Sequence, residues 1–101
     1  MALIKVKFNE DIGSLVNTKD NTVFNGRRVS GVINVRNESS QNTADNSRND
    51  AKIKLKSVLK KYHADAYELL AESSLDECQG QEYMLPSYTT EMSVILYQKK
   101  I

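Results

Sequence analysis

The sequence predicts an α+β fold, in which about four strands form a mostly antiparallel sheet and one main amphipathic helix packs on one face. Two observations support this class: a long segment with helical periodicity in mid-chain, and short alternating or β-branched segments on both sides of it. With 101 residues and 40% hydrophobic content, the chain is expected to form a single small domain, 1–101, with one core.

The helical segment lies within residues 50–71. Apolar residues recur there at spacings of three and four, and lysines occupy the remaining arc, as in a helix that buries one face. Ser47 and Asp50 have the spacing of a capping box, which predicts a helix start near Arg48. The apolar stripe consists of Ala51, Leu55, Val58, Leu59 and Tyr62, and the charged arc of Lys52, Lys54, Lys56, Lys60 and Lys61.

The local pattern leaves the end of this helix ambiguous. Leu69 and Leu70 continue the helical period with no Gly or Pro to stop it, so one helix to about Glu72 is possible. The segment also alternates like a half-buried strand, with Tyr67, Leu69 and Ala71 on one side. Both interpretations stay open at this level.

Other segments have strand patterns. Leu3–Phe8 alternates apolar residues with lysines, as a half-buried first strand does. Asn25-Gly26 favours a tight hairpin turn that leads into a β-branched run, predicted to be a central strand, in which Gly31 indicates a bulge or a close backbone approach. Residues 92–97 carry apolar side chains on both faces, which predicts a closing strand buried on two sides.

Three polar segments are predicted to be connections: 9–21, 37–49 and 72–88. Leu15 and Val16 are the expected anchors of the first. The second is expected to be a mobile loop, because its small polar side chains cannot bury enough apolar surface to offset the entropy of ordering them.

Composition restricts the function and the location of the chain. A formal net charge of +1 argues against a field that attracts nucleic acid or membranes. The single cysteine, Cys78, excludes an intramolecular disulfide and a multi-cysteine zinc site. Neither a signal peptide nor a membrane-spanning segment is recognisable. A cytoplasmic location is therefore expected, with a periplasmic or exported protein that has lost its signal as the alternative.

An acidic cluster surrounds the thiol. Asp76, Glu77, Cys78 and Glu82 form the best candidate for a weak metal site, since carboxylates and thiolates are metal ligands. Their spacing is not that of a calcium loop, and a soft metal would need a second thiolate or an imidazole. A solvated loop is the competing interpretation.

The remaining candidates are aromatic residues and the only histidine. Tyr83 and Tyr88 flank the only proline, and they are candidate protein-contact residues because exposed aromatic side chains are favoured anchors. His63 is expected to lie at the helix C-terminus in a capping or surface role. No catalytic triad order, paired-carboxylate motif or cofactor fingerprint is present, so neither enzyme activity nor a cofactor is expected.

Three stretches carry a resemblance to known proteins: FNGRRVSGVINVRNE, LKSVLKKYHADAYELL and MSVILY. They resemble a group of small bacterial α+β domains, comprising the YbjQ-like family, whose name refers to heavy-metal binding, and the signalling domain of the outer-membrane stress-sensor lipoprotein of the Rcs phosphorelay. The likeness covers about residues 23–98 and leaves 1–22 as an extra N-terminal strand and loop.

The resemblance implies that the helix stops near His63 and that the chain re-enters the sheet at about Ala66. The chain departs from the group in two ways. Cys78 is its only cysteine, so the disulfides of the stress-sensor domain have no counterpart, and His63 stands where a glycine is usual.

Together these patterns favour a non-enzymatic protein-interaction or signalling module. It is expected to bind another protein, or itself, through an exposed strand edge. A small metal-binding protein that uses the Cys78 loop is the alternative. Nucleic acid is not expected as a partner.

Overall fold

The structure, a computed structural model, describes residues 3–37, 41–76 and 87–100. It is an α+β fold with one helix packed on a mixed six-stranded sheet. The elements are β1 (Ile4–Asn9), β2 (Ser14–Asn17), β3 (Gly26–Arg28), β4 (Ile33–Arg36), α1 (Ala44–Lys61), β5 (Ala66–Asp76) and β6 (Tyr88–Lys99).

The strands are ordered β2-β1-β5-β6-β3, and β4 pairs with β6 on the same side as β3. The long strands β5 and β6 form the antiparallel centre of the sheet. β1 runs parallel to β5, and the other pairs are antiparallel. The predicted fold class therefore holds, but the sheet has six strands and not four, and it is mixed.

One of the unpredicted strands lies in the segment 9–21. Ser14–Asn17 pairs with β1 through a turn in which the Gly13 N–H donates to the Asn9 carbonyl at 2.9 Å. Gly13 has a φ of 65°, a conformation that glycine adopts without steric cost. The prediction of a loop was wrong here because β2 is short and flanked by turn-forming residues. Val16 is an anchor, as expected, with only 1% of its surface exposed.

The tight turn predicted at Asn25-Gly26 does not form. Gly26 belongs to β3 and pairs with Lys99. A Cβ atom at this position would lie 2.5 Å from the Gln98 carbonyl oxygen and closer still to the ring of Phe24. Glycine is therefore needed at position 26 because the Phe24 ring and the β6 backbone lie close to it, and not because of a positive φ.

The run predicted as a central strand forms β3 and β4 at the side of the sheet. Arg28 pairs with Tyr97 and Ile33 with Val94. The chain therefore advances five residues from β3 to β4 over a length that β6 covers with three. The two extra residues form the interruption expected near Gly31. The β-branched composition indicates a strand, but it does not determine the strand's position in the sheet.

The helix begins one turn before its predicted start. Its N-cap is Thr43, whose hydroxyl accepts a hydrogen bond from the Asn46 N–H at 3.1 Å. Ser47, predicted as part of a capping box, is instead buried inside α1, and its hydroxyl is 2.8 Å from Thr90 Oγ1. Residues from Ala44 onward are therefore helical, although the mobile loop was predicted to extend to residue 49.

The end of α1 settles the alternative that the local pattern left open. The helix ends at Lys61, and His63 follows with a φ of 54°. The Ala64 N–H then donates to the Leu59 carbonyl at 2.8 Å, which is the 6→1 hydrogen bond of a Schellman C-cap. The chain reverses there and enters β5 at Ala66, so a single helix to Glu72 is excluded.

Two clusters of buried side chains lie on opposite faces of the sheet. The larger joins α1 to the sheet and confirms the predicted apolar stripe at Ala51, Leu55 and Leu59. The smaller lies on the face opposite α1, here called the open face. The larger cluster comprises Val35, Ala51, Leu55, Leu59, Ala64, Tyr67, Met92, Val94 and Leu96, and the smaller Val6, Phe24 and Ala66, with Ile4, Leu15 and Tyr97 packed against it.

Candidate interaction edge

The outer side of β3 and β4 is the candidate site, here called the β3–β4 edge (Gly26–Arg36). In residues 3–37, 41–76 and 87–100, β3 and β4 pair only with β6. An unpaired strand edge presents backbone N–H and C=O groups that can bind an added strand. The outward-facing groups follow from the hydrogen-bond pattern.

On β4, the outward-facing backbone groups are those of Asn34 and Arg36. In an antiparallel ladder, pairs that exchange backbone hydrogen bonds alternate with pairs that do not. The Asn37 N–H donates to the Thr90 carbonyl at 3.4 Å, which fixes the alternation along β4. Val35 therefore bonds to β6 opposite Met92, and the N–H and C=O of Asn34 point away from β6.

On β3, the same rule gives Gly26 and Arg28 as the outward-facing residues. The Val29 N–H donates to the Leu96 carbonyl at 2.9 Å, and the Lys100 N–H donates to the Asn25 carbonyl at 3.0 Å. Residues at even positions between these two pairs therefore direct their backbone groups outward. The edge offers acceptors and donors on both strands.

The β4 strand is held firmly. Val35 is almost completely buried in the larger cluster, and Asn34 Oδ1 accepts a hydrogen bond from Ser93 Oγ at 2.9 Å. Between the strands, Ser30 Oγ accepts from the Leu96 N–H at 3.0 Å and so replaces a backbone partner at the interruption. Val32, beside this point, has 59% of its surface exposed.

Basic side chains line the β3 part of the edge. Arg27 Nη2 donates to Gln98 Oε1 at 3.0 Å, and Arg28 Nε donates to the Ser30 carbonyl at 2.7 Å. Both guanidinium groups are exposed and keep further N–H groups available. A shallow groove at the end of the edge is lined by Arg27, Gln98, Lys99 and Lys100.

The Glu68 carboxylate, which lies near this region, already accepts a hydrogen bond. Tyr97 pairs with Arg28 across the strands, and its hydroxyl donates to Glu68 Oε1 at 3.0 Å on the open face. Burial, followed by this hydrogen bond, raises the pKa of Tyr97 to about 12. The phenol therefore stays protonated at neutral pH and continues to donate to the carboxylate.

A second exposed surface lies at the β1–β2 hairpin. Phe8, Ile12 and Val23 are each more than half exposed, and a groove between Phe8 and Leu15 extends to Gly26, the first residue of the β3–β4 edge. Exposed apolar surface of this kind can contact a partner. Nothing in the described part of the chain indicates what would cover it.

The structure describes few of the predicted site residues. Asp76 is the last residue of β5, whereas Glu77, Cys78, Glu82 and Tyr83 lie outside the described residues. Among the residues that are described, no group of three or more His, Cys, Asp or Glu side chains could hold a metal ion. The metal site at the Cys78 loop stays a prediction.

Tyr88 and His63 have defined positions. Tyr88 is half-buried at the start of β6, and its backbone exchanges hydrogen bonds with Gln41 at 2.8 and 3.1 Å. His63 is exposed at the C-terminal end of α1, where it was expected, and its carbonyl accepts a hydrogen bond from Gln98 Nε2 at 3.1 Å. The same Gln98 side chain accepts from Arg27, so His63 lies next to the β3 part of the edge, whereas Tyr88 lies at the other end of β6.

Sequence reasoning missed the basic part of the edge. The signal was present, because no acidic residue occurs between Asp20 and Glu38 while Arg27, Arg28 and Arg36 do. It was not recognised because this run was predicted to be central, where both strand edges are paired.

Comparison of the chain with protein-family models, with curated proteins and with solved structures finds no match. In the part of the chain that the structure describes, no helix is long and apolar enough to cross a membrane. The geometry of the edge is therefore the basis for a functional proposal.

Proposed function

We propose that the protein is a non-enzymatic interaction module that binds an extended strand of another protein along the β3–β4 edge. The observation that supports this most directly is the outward direction of the Asn34 N–H and C=O, which have no strand partner among the described residues. Strand addition uses such groups for affinity and the flanking side chains for specificity.

The outer side of β2, at the other end of the strand order, has fewer backbone groups available to an added strand. A short segment covers the outer side of β2: Val23 bridges Val16, and the Phe24 N–H donates to the Leu15 carbonyl at 2.8 Å. Within the described ranges, the β3–β4 edge is therefore the side with more backbone groups that have no strand partner.

The edge is also preorganised. Val35 is packed under α1, and Asn34 is bonded to Ser93, so β4 is already extended before a partner arrives. Binding to an ordered strand avoids the cost of ordering that strand on association. The resemblance to the YbjQ-like domains stays a prediction and is not needed for this proposal.

Proline at position 34 tests the role of the edge. Asn34→Pro removes the outward N–H but leaves the β4–β6 ladder intact, and Ile33 already has the extended conformation required before proline. We expect a stability loss of only about 1 kcal/mol, from the bond to Ser93. Binding of a fluorescent peptide of alternating Thr and Val, measured by anisotropy, should weaken about ten-fold or more.

Val35→Pro is the matched control. It removes a ladder hydrogen bond to β6 and should destabilise the fold by about 2 kcal/mol or more, as measured by urea unfolding. If Asn34→Pro bound the peptide as well as the parent chain does, strand addition at β4 would be wrong. If Asn34→Pro cost as much stability as Val35→Pro, the assignment of the outward-facing groups would be wrong.

A further inference from the structure

The charges along the β3–β4 edge have one sign. Between Asp20 and Glu38 the sequence contains three arginines and no acid. Since the formal charge of the whole chain is only +1, this excess is local. Glu72 and Glu91 lie toward the other end of β5 and β6, where Glu91 forms an ion pair with Arg36 at 3.7 Å.

The geometry places a cation on each face of the sheet at this edge. Leu96 belongs to the cluster under α1, so Tyr97 and its pair Arg28 point to the open face. Arg27 pairs with Gln98 and points to the face that carries α1. The side chains of an added strand alternate between faces in the same way, so neighbouring residues of that strand would meet Arg28 and Arg27 in turn.

The cations have room for an external partner. Arg27 and Arg28 each donate one hydrogen bond, to Gln98 and to Ser30. The ion pairs among the described residues involve Arg36 and Arg48, and neither Arg27 nor Arg28. Lys99 lies beside them, on the same face as Arg28. Arginine has five N–H donors in a planar group that matches a carboxylate, so each guanidinium can donate hydrogen bonds to an incoming carboxylate.

A second copy of the same edge is a poor occupant. Pairing of two β3–β4 edges would bring Arg27 and Arg28 of each chain to one seam, and like charges facing each other across strands are unfavourable. Arg36 adds less repulsion, because Glu91 lies 3.7 Å from it. Basic residues on an edge also protect a sheet against such association. If the arginines only protected the edge against association, an acidic strand would bind no better than a neutral one. If they select a partner, the acidic strand should bind more tightly.

Resting on the proposed function, we infer that the β3–β4 edge selects an extended acidic segment of another protein, with Asp or Glu side chains that pair with Arg27 and Arg28. Backbone hydrogen bonds to Gly26, Arg28 and Asn34 hold the strand, and the carboxylates determine which strands are accepted. Attraction of this kind weakens as salt screens the charges.

Three labelled peptides of about eight residues, an ordinary strand length, test the inference. Each alternates Val with Glu, Thr or Lys, and binding to the full chain is measured by anisotropy at low salt. We expect the Glu peptide to bind at least about ten-fold more tightly than the Thr peptide, and the Lys peptide more weakly than both. The preference should shrink at about 0.5 M salt.

Two charge variants give the matched comparison. The double variant Arg27→Gln with Arg28→Gln should remove most of the preference for the Glu peptide. Lys52→Gln with Lys56→Gln removes the same charge from the exposed arc of α1 and should leave the affinity unchanged. Asn34→Pro should weaken the Glu peptide as well, because ion pairing alone would not need the β4 backbone.

The outcomes separate the two proposals. Equal affinity for the Glu and Thr peptides, or an unchanged preference in the arginine variant, would overturn the inference and leave strand addition standing. No binding by any of the three peptides would overturn both. Sedimentation velocity should show a monomer, and a dimer that Asn34→Pro dissociates would also overturn the inference.

Discussion

Leu55→Ala should lower the free energy of unfolding by about 3 kcal/mol, the range found when a buried leucine is truncated. Leu55 is 0% exposed and lies in the cluster that joins α1 to the sheet. Truncation removes apolar contacts and leaves a cavity that the packed strands cannot fill without moving. Urea unfolding followed by far-UV circular dichroism measures the change.

Ile53→Ala is the control for this substitution. Ile53 is on the same helix, two positions earlier, and has 64% of its surface exposed. Its truncation should change stability by no more than about 0.5 kcal/mol. Equal losses at the two positions would mean that α1 does not bury the face seen in the structure.

Gly26→Ala should cost about 2 kcal/mol, because an added methyl group has no space there. The new Cβ would lie 2.5 Å from the Gln98 carbonyl oxygen, which the β3–β6 pairing holds in place, and against the Phe24 ring. Neither neighbour moves freely, because Phe24 is buried in the smaller cluster and the backbone of β6 is paired on both sides. Thermal unfolding should show a lower Tm.

Gly31→Ala is the comparison. A Cβ at position 31 meets nothing within 4 Å, so alanine should be neutral or should stabilise by up to about 1 kcal/mol through the entropy of the unfolded chain. If both variants lost the same stability, the close approach at Gly26 would not be the reason that glycine occupies this position.

Periodicity was sufficient to predict the helix but not its boundaries. Both Thr43 and Ser47 have capping chemistry, and the choice depends on Thr90, a contact 43 positions away that gives Ser47 a buried partner. The strand after the helix was ambiguous for a similar reason. Leu70 looks like a continuation of the apolar stripe, but it lies at a bulge in β5 and has 47% of its surface exposed.

Strand order was the main feature that the sequence could not give. The run from Val29 to Val35 has the composition of a buried strand, and its place at the side of the sheet depends on which strands pair with β6. The role assigned to Arg27 and Arg28 depends on that order. Sequence reasoning identified strand-edge binding as a class of function, but it could not say which edge.

Amide hydrogen exchange at Asn34 and Val35, measured by NMR on the full chain, tests most directly whether the β3–β4 edge is open and accepts an acidic strand. In the free protein the Asn34 amide should exchange quickly and the Val35 amide slowly, because only the latter is bonded to β6. Adding the alternating Glu and Val peptide should slow exchange at Asn34 about ten-fold or more. An Asn34 amide that is already as protected as Val35 in the free protein, or that the peptide leaves unchanged, would contradict the account.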